Sequence, residues 1–296
     1  MAGKKKLLTI AQYVFFFGLA ALLIGWQYGK LTEEDKAQIT VAFEQVNQRL
    51  WLAIPVVIVG LLSHYFRALR WKLLLEPLHL KPRTITITLA VIIGYLVNLL
   101  LPRMGEVARC SILAKYEDEP VDLIVGTIVA ERSFDMICLI AITITTYLLQ
   151  MDVANAYIAS QGSQLNISGN AILGILFLLL IITALFIFIY KRSKQTKIGA
   201  LIKGLGQGII SIFRMKRWGS FLIYTVLIWG CYLLLIVIGF KALEATLHLG
   251  WLEALSVLVF GSIGMIVTPG GIGAYPLAVQ GVLATVYDIN KNFALA

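Results

Sequence analysis

Apolar residues occur along the chain in long, nearly uninterrupted runs, and short polar stretches separate these runs. A helix needs about 20 mostly apolar residues to cross the ~30 Å hydrocarbon core of a bilayer. Two further apolar segments, about 84–101 and 274–290, are short or interrupted. The pattern predicts an all-α polytopic integral membrane protein. The runs predicted to span the membrane are about 7–27, 51–69, 121–149, 170–190, 218–240 and 251–268.

The composition agrees with this prediction and excludes other classes of protein. Hydrophobic residues make up 59% and charged residues 14% of the 296 residues, whereas a soluble domain has about 25% charged residues. The net charge of +9 comes mostly from short loops between apolar runs, as the positive-inside rule requires. We therefore expect membrane lipids as partners and no nucleic acid.

Residue types that carry soluble-enzyme chemistry are sparse. The three cysteines and three histidines are scattered along the chain, so the sequence predicts neither a disulfide framework nor a metal site. A catalytic triad, a P-loop and a dinucleotide-binding motif are all missing from the sequence. We expect no cofactor, and the chain is not predicted to be an enzyme.

Loop charges predict the orientation of the helices. Lys4, Lys5 and Lys6 place the N-terminus in the cytoplasm. The basic loop 191–217 carries eight Lys or Arg and no Asp or Glu, so it is also expected in the cytoplasm. Both assignments hold only if 84–101 does not cross the membrane completely. We therefore predict a re-entrant hairpin over about 84–115 that enters from the cytoplasm and returns to it.

The basic loop 191–217 also contains apolar residues at helical spacing. This pattern predicts an amphipathic helix that lies on an anionic membrane surface. The alternative is a solvated linker packed on neighbouring loops. The apolar positions are Ile198, Leu201, Ile202, Leu205, Ile209, Ile212 and Phe213.

The two interrupted segments share a spacing of glycine and proline. Gly94 stands eight residues before Pro102 in "GYLVNLLLPRMGE", and Gly261 stands eight residues before Pro269 in "GSIGMIVTPGGIGAYP". Such interruptions in corresponding halves indicate a transporter binding site. We predict a second re-entrant hairpin over about 251–290, in an inverted repeat with the first. The alternative is an ordinary interfacial turn. The predicted hairpin backbone residues are Pro102, Gly105, Pro269, Gly270, Gly271 and Gly273.

The first hairpin carries charges in apolar surroundings. Arg103, Glu106 and Arg109 are three residues apart, so they share one face if the segment is helical. Ionisable residues at membrane depth are candidates for function, and the planar fork of arginine suits phosphate. The alternative is a helix end whose charged side chains extend to the lipid headgroups.

A second group of charges lies in "GTIVAERSFDMICL". Glu131 and Asp135 are four residues apart and share a helix face, with Arg132 beside them. A helix that begins near Val121 would place Glu131 about halfway through the bilayer. The alternative is a cytoplasmic extension over 121–132. These carboxylates could pair with Arg103 and Arg109, or accept a cationic headgroup.

Basic and aromatic residues also lie together in "SHYFRALRWKLLLEPL". Arg67, Arg70 and Lys72 stand at the predicted cytoplasmic end of a span, which is typical of an interface belt. Phosphate binding there is the competing interpretation, and we include Arg70 among the candidate substrate-binding residues on that basis.

Four of these motifs, in this order, resemble the lysylphosphatidylglycerol synthase transmembrane-region family: "RALRW", "NLLLPRMGEVAR", "ERSFDMICL" and "TPGGIGAYP". The resemblance covers about residues 60–280. It implies a polytopic inner-membrane protein that moves or handles a phospholipid or a polyprenyl-linked lipid. Many relatives carry a glutamate just after the glycine motif, whereas this chain has Ala274, Tyr275 and Pro276. The aminoacyl-transferase domain of longer relatives is not part of this sequence.

Together these features predict a single transmembrane domain over 1–296 that acts as a flippase-like lipid translocase. The expected cargo is an anionic phospholipid or polyprenyl-linked lipid, and the expected location is the bacterial inner membrane. Arg103 and Arg109 would hold the lipid phosphate, while Glu106, Glu131 and Asp135 orient these arginines or bind a cationic headgroup. The alternatives are an integral-membrane transferase with Glu131 or Asp135 as base, and a scaffold for a separate lipid-modifying enzyme.

The quaternary state and the end of the chain complete the predictions. A homodimer is compatible with this class of protein. The final residues, "VYDINKNFALA", resemble the start of another helix with Asn290 or Asn292 as N-cap. We therefore expect a further span to follow in the native protein.

Overall fold

The computed structural model describes residues 32–100, 104–118, 121–151, 212, 214–268, 271 and 273–295, and these residues form helices joined by short turns. The predicted all-α class is confirmed for this part of the chain. In chain order the helices are α1 (Glu33–Gln48), α2 (Ala53–Leu75), α3 (Thr84–Leu100), α4 (Met104–Glu117), α5 (Val121–Leu149), α6 (Trp218–Phe240), α7 (Trp251–Val267), α8 (Ala274–Val286) and α9 (Lys291–Leu295).

Within the described part of the chain, two stretches of helix are long and apolar enough to cross a membrane. They are Leu50–Leu78, which contains α2 and its flanking 3-10 turns, and α6. Large apolar side chains such as Leu99 and Val226 lie exposed on the outer surface. An extensive exposed apolar surface fits lipid better than water. The described helices therefore have the surface of a membrane protein.

The predicted helices at 51–69, 121–149, 218–240 and 251–268 are confirmed as helices, and those at 7–27 and 170–190 lie outside the described residues. Nearly all of the basic loop 191–217 also lies outside the described residues.

Helix α5 is continuous over 29 residues, a length of about 44 Å at 1.5 Å per residue. It is therefore longer than the ~30 Å thickness of the hydrocarbon core.

Helices α3 and α4 form the first hairpin, and glycine lets their backbones meet. A Cβ atom on Gly94 would lie 2.8 Å from the carbonyl oxygen of Gly105. The backbone N–H of Gly105 donates a hydrogen bond of 2.7 Å to Oδ1 of Asn98 on the opposite helix. Gly105 thus lies inside α4 and permits close packing, while Pro102 lies outside the described residues.

Helices α7 and α8 form the second hairpin in a similar way. A Cβ atom on Gly264 would lie 2.8 Å from the carbonyl oxygen of Ala274, and one on Gly261 would lie 2.7 Å from the ring of Tyr275. Gly271 and Gly273 have φ angles of 73° and 76°, which L-amino acids with a side chain rarely adopt. The turn therefore requires glycine at both positions. Pro269 and Gly270 lie outside the described residues.

Two apolar cores hold the described helices together. The first contains Trp71 of α2, Ile87 of α3, Leu113 of α4, Ile124 of α5 and Phe221 of α6. The second joins the C-terminal end of α6 to α7, α8 and α9. The first hairpin thus packs with α2, α5 and α6, and the second hairpin packs in the other core.

Polar contacts at the C-terminal end of α5 connect it to the second hairpin. Gln150 donates through Nε2 to the carbonyl oxygen of Leu252, at the start of α7. Its Oε1 accepts a hydrogen bond of 2.7 Å from the hydroxyl of Tyr287, which follows α8, and a longer one from Ser256. Helix α5 therefore contacts both halves of the structure.

The N-terminal end of α1 meets the last described helix. Thr32 and Asp35 form a capping box, and the hydrogen bond from the Thr32 side chain lowers the pKa of Asp35. Nδ2 of Asn292 donates to Oδ1 of Asp35 at 2.7 Å. The backbone N–H of Asn292 donates to Oδ1 of Asn290, so the predicted N-cap role of Asn290 is confirmed.

The close contact in the first hairpin predicts a steric effect of Gly105→Ala. The added methyl group would overlap the Gly94 carbonyl and the Asn98 side chain, and overpacking of this kind costs about 1–3 kcal/mol. Thermal unfolding in detergent, followed by intrinsic fluorescence, should show a lower midpoint. Gly230→Ala is the matched control, because nothing lies within 4 Å of its added Cβ. Equal midpoints for the two variants would contradict the packing described above.

Candidate functional site

Five charged side chains from three helices meet in the interior, and we name them the buried charge cluster: Arg67, Arg70, Arg109, Glu131 and Asp135. Arg67 and Arg70 lie three residues apart on α2, and Glu131 and Asp135 lie four apart on α5. Each spacing places both side chains on the same face of its helix. Arg109 comes from α4 and is therefore delivered by the first hairpin.

Glu131 is the centre of the cluster and is 0% exposed. Its Oε1 lies 2.9 Å from Nη1 of Arg67 and 3.2 Å from Nη2 of Arg70. Its Oε2 lies 3.3 Å from Nη2 of Arg109. One carboxylate therefore joins α5 to both α2 and α4 through three guanidinium groups.

Asp135 lies one helical turn further along α5 and is 15% exposed. Its Oδ1 is 2.7 Å from Nη1 of Arg70, and its Oδ2 is 3.6 Å from Nη1 of Arg67. Neither oxygen has a hydrogen bond of good geometry, so the contacts are mainly Coulombic. Asp135 therefore has unused acceptor capacity at the side of the cluster nearest the surface.

Aromatic rings support two of the arginines. The guanidinium of Arg109 lies 5.0 Å from the ring centroid of Trp71, and that of Arg70 lies 5.6 Å from the ring centroid of Phe221. Nε1 of Trp71 donates a hydrogen bond of 2.8 Å to Oγ1 of Thr127. A cation over an aromatic face is stabilised, more so when desolvated, so these rings help to hold the guanidinium groups in place.

Helix α6 contributes hydroxyl groups to the same site. Nη2 of Arg67 donates to the hydroxyl of Tyr232 at 2.6 Å, and Nη1 of Arg70 donates to Oγ1 of Thr225 at 3.3 Å. Nη2 of Arg67 has no carboxylate contact among the described residues, whereas Nη1 of Arg70 also faces Oδ1 of Asp135. Four described helices, α2, α4, α5 and α6, therefore meet at the cluster.

A further ion pair, the edge pair Glu106–Arg132, lies beside the cluster. Oε1 of Glu106 on α4 is 2.6 Å from Nε of Arg132 on α5, and both side chains are 41% exposed. Nη1 of Arg132 also lies 3.6 Å from Oδ2 of Asp135. The ionic contacts thus continue from the half-exposed edge pair through Asp135 to the fully buried Glu131.

The charges of the buried cluster do not cancel. Three arginines face two carboxylates, which gives a net charge of +1, and the edge pair adds none. The Nε–H groups of Arg67, Arg70 and Arg109 are buried and have no hydrogen-bond acceptor among the described residues. A buried charge is costly unless it is paired and hydrogen-bonded. The cluster is therefore chemically suited to one additional anion.

The structure brings together most of the candidate residues expected from the sequence. Arg103 lies outside the described residues, and the expected pairing of Arg109 with a carboxylate of α5 is confirmed by its contact with Glu131. The members that meet at the cluster or its edge are Arg70, Glu106, Arg109, Glu131, Arg132 and Asp135.

The interface-belt interpretation is wrong for Arg67 and Arg70, because their side chains are only 3% and 0% exposed. Their spacing of three residues was a sequence signal that the side chains of Arg67 and Arg70 share one face of α2. Tyr232 was not expected at the site, because nothing distinguishes it within the apolar run of α6. Its role depends on which helix packs against α2.

The central role of Glu131 predicts a large stability effect of Glu131→Gln. Three arginines would lose their shared carboxylate, and breaking a buried ion pair costs about 3–5 kcal/mol. Thermal unfolding in detergent should show a strong loss of stability. Glu33→Gln is the control, since the Glu33 side chain in α1 is largely exposed. This substitution should change the unfolding midpoint little. A midpoint for Glu131→Gln close to that of the control would contradict the central role of Glu131.

Comparison with known proteins gives one family. Residues 10–296 match the lysylphosphatidylglycerol synthase TM region family. No curated protein and no solved structure matches the chain. The match extends over nearly the whole sequence, including both hairpins and all members of the buried charge cluster. The chain therefore belongs to the lysylphosphatidylglycerol synthase TM region family, and it is a membrane protein of that family.

Proposed function

We propose that the protein is a flippase-like translocase that moves an anionic phospholipid or a polyprenyl-linked lipid across the bacterial inner membrane. The family takes its name from the synthase of a phospholipid, which supports a lipid as the cargo. The exposed apolar surface of the helices supports contact between the protein and membrane lipids. The N-terminus lies in the cytoplasm in this proposal.

The observation that carries the proposal is the excess positive charge of the buried cluster, together with its three unpaired Nε–H donors. Positive charge at membrane depth is rare and is associated with function. A lipid phosphodiester bears a single negative charge, which equals the excess. Arginine also binds phosphate oxygens through two parallel hydrogen bonds. A lipid phosphate is therefore the anion that best complements the cluster.

The carboxylates of the cluster indicate how such a phosphate is accepted. Glu131 and Asp135 each bear one negative charge and contact the same arginines. A phosphodiester, which bears one negative charge like the Asp135 carboxylate, can replace Asp135 as the partner of Arg70. Arg70 then still contacts the same number of negative charges. Arg103, which directly precedes α4 in the sequence, supplies a further phosphate contact in this scheme.

The two hairpins are the moving elements in the proposed mechanism. They form an inverted repeat of re-entrant hairpins, with backbone breaks that face the cargo pathway. Irregular backbone at that depth is tolerated where protein or water covers it. Helix α4 carries both Arg109 and Glu106, so displacement of the first hairpin separates these residues from Glu131 and Arg132. Release of these ion pairs is therefore coupled to movement of the hairpin.

Reconstitution into liposomes tests the function directly. Fluorescent phosphatidylglycerol should cross to the opposite leaflet faster than in protein-free liposomes. Arg70→Gln removes the excess charge and should lower the rate by roughly tenfold or more, because hydrogen bonds to charged groups are worth about 1.5–3 kcal/mol. Arg70→Lys keeps the positive charge but lacks the planar guanidinium group. Its translocation rate should lie between those of Arg70→Gln and wild type.

Arg49→Gln is the control, since Arg49 follows α1 and contacts Glu244 and Lys241 away from the cluster. The control should retain the wild-type rate. Equal rates for wild type and protein-free liposomes would overturn the translocase proposal. A wild-type rate in Arg70→Gln would show that the excess charge does not bind the cargo.

A further inference from the structure

The edge pair lies at a surface that otherwise consists largely of apolar residues. On α4, Glu106 stands between the exposed side chains of Met104 and Val107. On α5, the helix face next to Arg132 is also exposed. Its exposed members are Val129, Ser133, Met136, Ile137 and Ile140. A half-exposed ion pair is thus set into an apolar surface that lipid tails can contact.

The edge pair differs from the ion pairs behind it. Both of its side chains are 41% exposed, whereas Arg67, Arg109 and Glu131 are almost completely buried. Exposed ion pairs contribute little to stability, and breaking buried ones costs much more. If contact between α4 and α5 loosens, the edge pair is therefore the first ionic contact to separate.

We propose that the edge pair is a lateral portal, at which the phosphate of a membrane lipid enters between α4 and α5 and replaces Glu106 as partner of Arg132. This inference rests on the proposed function and identifies where its cargo enters. Arg132 donates through Nε to Glu106, and its contact with Asp135 is long, at 3.6 Å. The guanidinium thus has donor capacity for phosphate oxygens.

The surroundings of the portal favour a lipid over free phosphate. The apolar side chains of Met104, Val107 and Met136 complement the acyl chains of a lipid whose headgroup contacts Arg132. Soluble phosphate would have to reach Arg132 across the same apolar surface. Beyond Arg132, the ionic contacts lead inward to Asp135 and then to Arg70. The portal therefore opens onto the buried charge cluster.

A photoactivatable phosphatidylglycerol, with its reactive group near the phosphate, tests binding at the portal. Illumination of liposomes that contain the full chain should label peptides around 104–107 and 129–137. Arg132→Gln should reduce this labelling by roughly tenfold, as expected for loss of a charge-assisted hydrogen bond. Glu106→Gln should increase it, since the competing carboxylate is gone. A general loss of structure would lower labelling in both variants.

Glu76→Gln and Arg217→Gln are matched controls. These two residues form another partly exposed ion pair, at 3.7 Å, away from the cluster. Neither control should change labelling of the two peptides. Unchanged labelling in Arg132→Gln, or reduced labelling in Glu106→Gln, would overturn the portal. Labelling is measured independently of the transport rate. Failure of the portal proposal can therefore be distinguished from failure of the translocase proposal.

A cleavable cross-link tests passage through the portal. The double variant Glu106→Cys with Arg132→Cys is made in a background in which Cys110, Cys138 and Cys231 are replaced by alanine. The unbridged double variant lacks Arg132 and should be slower than wild type but faster than protein-free liposomes. Bridging the two introduced thiols with a short bis-thiosulfonate should lower translocation from this unbridged rate to the protein-free rate, and dithiothreitol should restore the unbridged rate. Back-extraction of the lipid by albumin is the suitable assay, because dithionite would cleave the bridge.

The same bridge between positions 76 and 217 is the control and should leave translocation unchanged. A bridged edge pair that translocates at the unbridged rate would overturn the portal while leaving the translocase proposal intact. Loss of activity only in the bridged edge pair supports the portal.

Discussion

A carboxylate buried in a membrane protein must be paired, and this requirement governs the first half of the structure. Glu131 is 0% exposed and lies within 3.3 Å of arginines on two other helices. Each of these arginines would itself be costly to bury without a partner. The positions of α2, α4 and α5 are therefore interdependent, because displacement of any one of them leaves a charge without its counterion.

The two hairpins use the same backbone device but different side-chain contacts. In both, glycine allows one helix to approach the other closely, as at Gly94 and Gly264. The first hairpin joins the rest of the protein through ion pairs of Glu106 and Arg109. The second joins α5 through neutral hydrogen bonds of Gln150. In the proposed mechanism an anion at the cluster therefore acts on ion pairs of the first hairpin, whereas the described contacts of Gln150 with the second half are neutral. The proposed inverted repeat thus has unequal halves.

The charged residues of α5 differ in exposure, and this difference gives the proposed pathway its direction. Arg132 is partly exposed, Asp135 much less so, and Glu131 is fully buried. Arg132 is positively charged, whereas Asp135 and Glu131 are both carboxylates, and each of the three contacts an oppositely charged residue of a neighbouring helix. A phosphate that moves inward thus exchanges one charged partner for the next. It need not enter an uncharged apolar region at any step between the edge pair and the cluster.

The sequence by itself determined the helices and the pairs of residues that share a face. Apolar run length gave the bounds of α5 and α6 closely, and helical periodicity placed Glu131 beside Asp135. Glycine and proline spacing predicted hairpins where the structure has the helix pairs α3–α4 and α7–α8, and their re-entrant course stays a prediction. Only the tertiary structure decided that Arg67 and Arg70 point inward, and that Tyr232 and Trp71 contact arginines. The physical reason is that periodicity fixes the direction of a side chain relative to its own helix. The partner it meets depends on how helices distant in sequence pack, and here that packing is set by the need to neutralise buried charge.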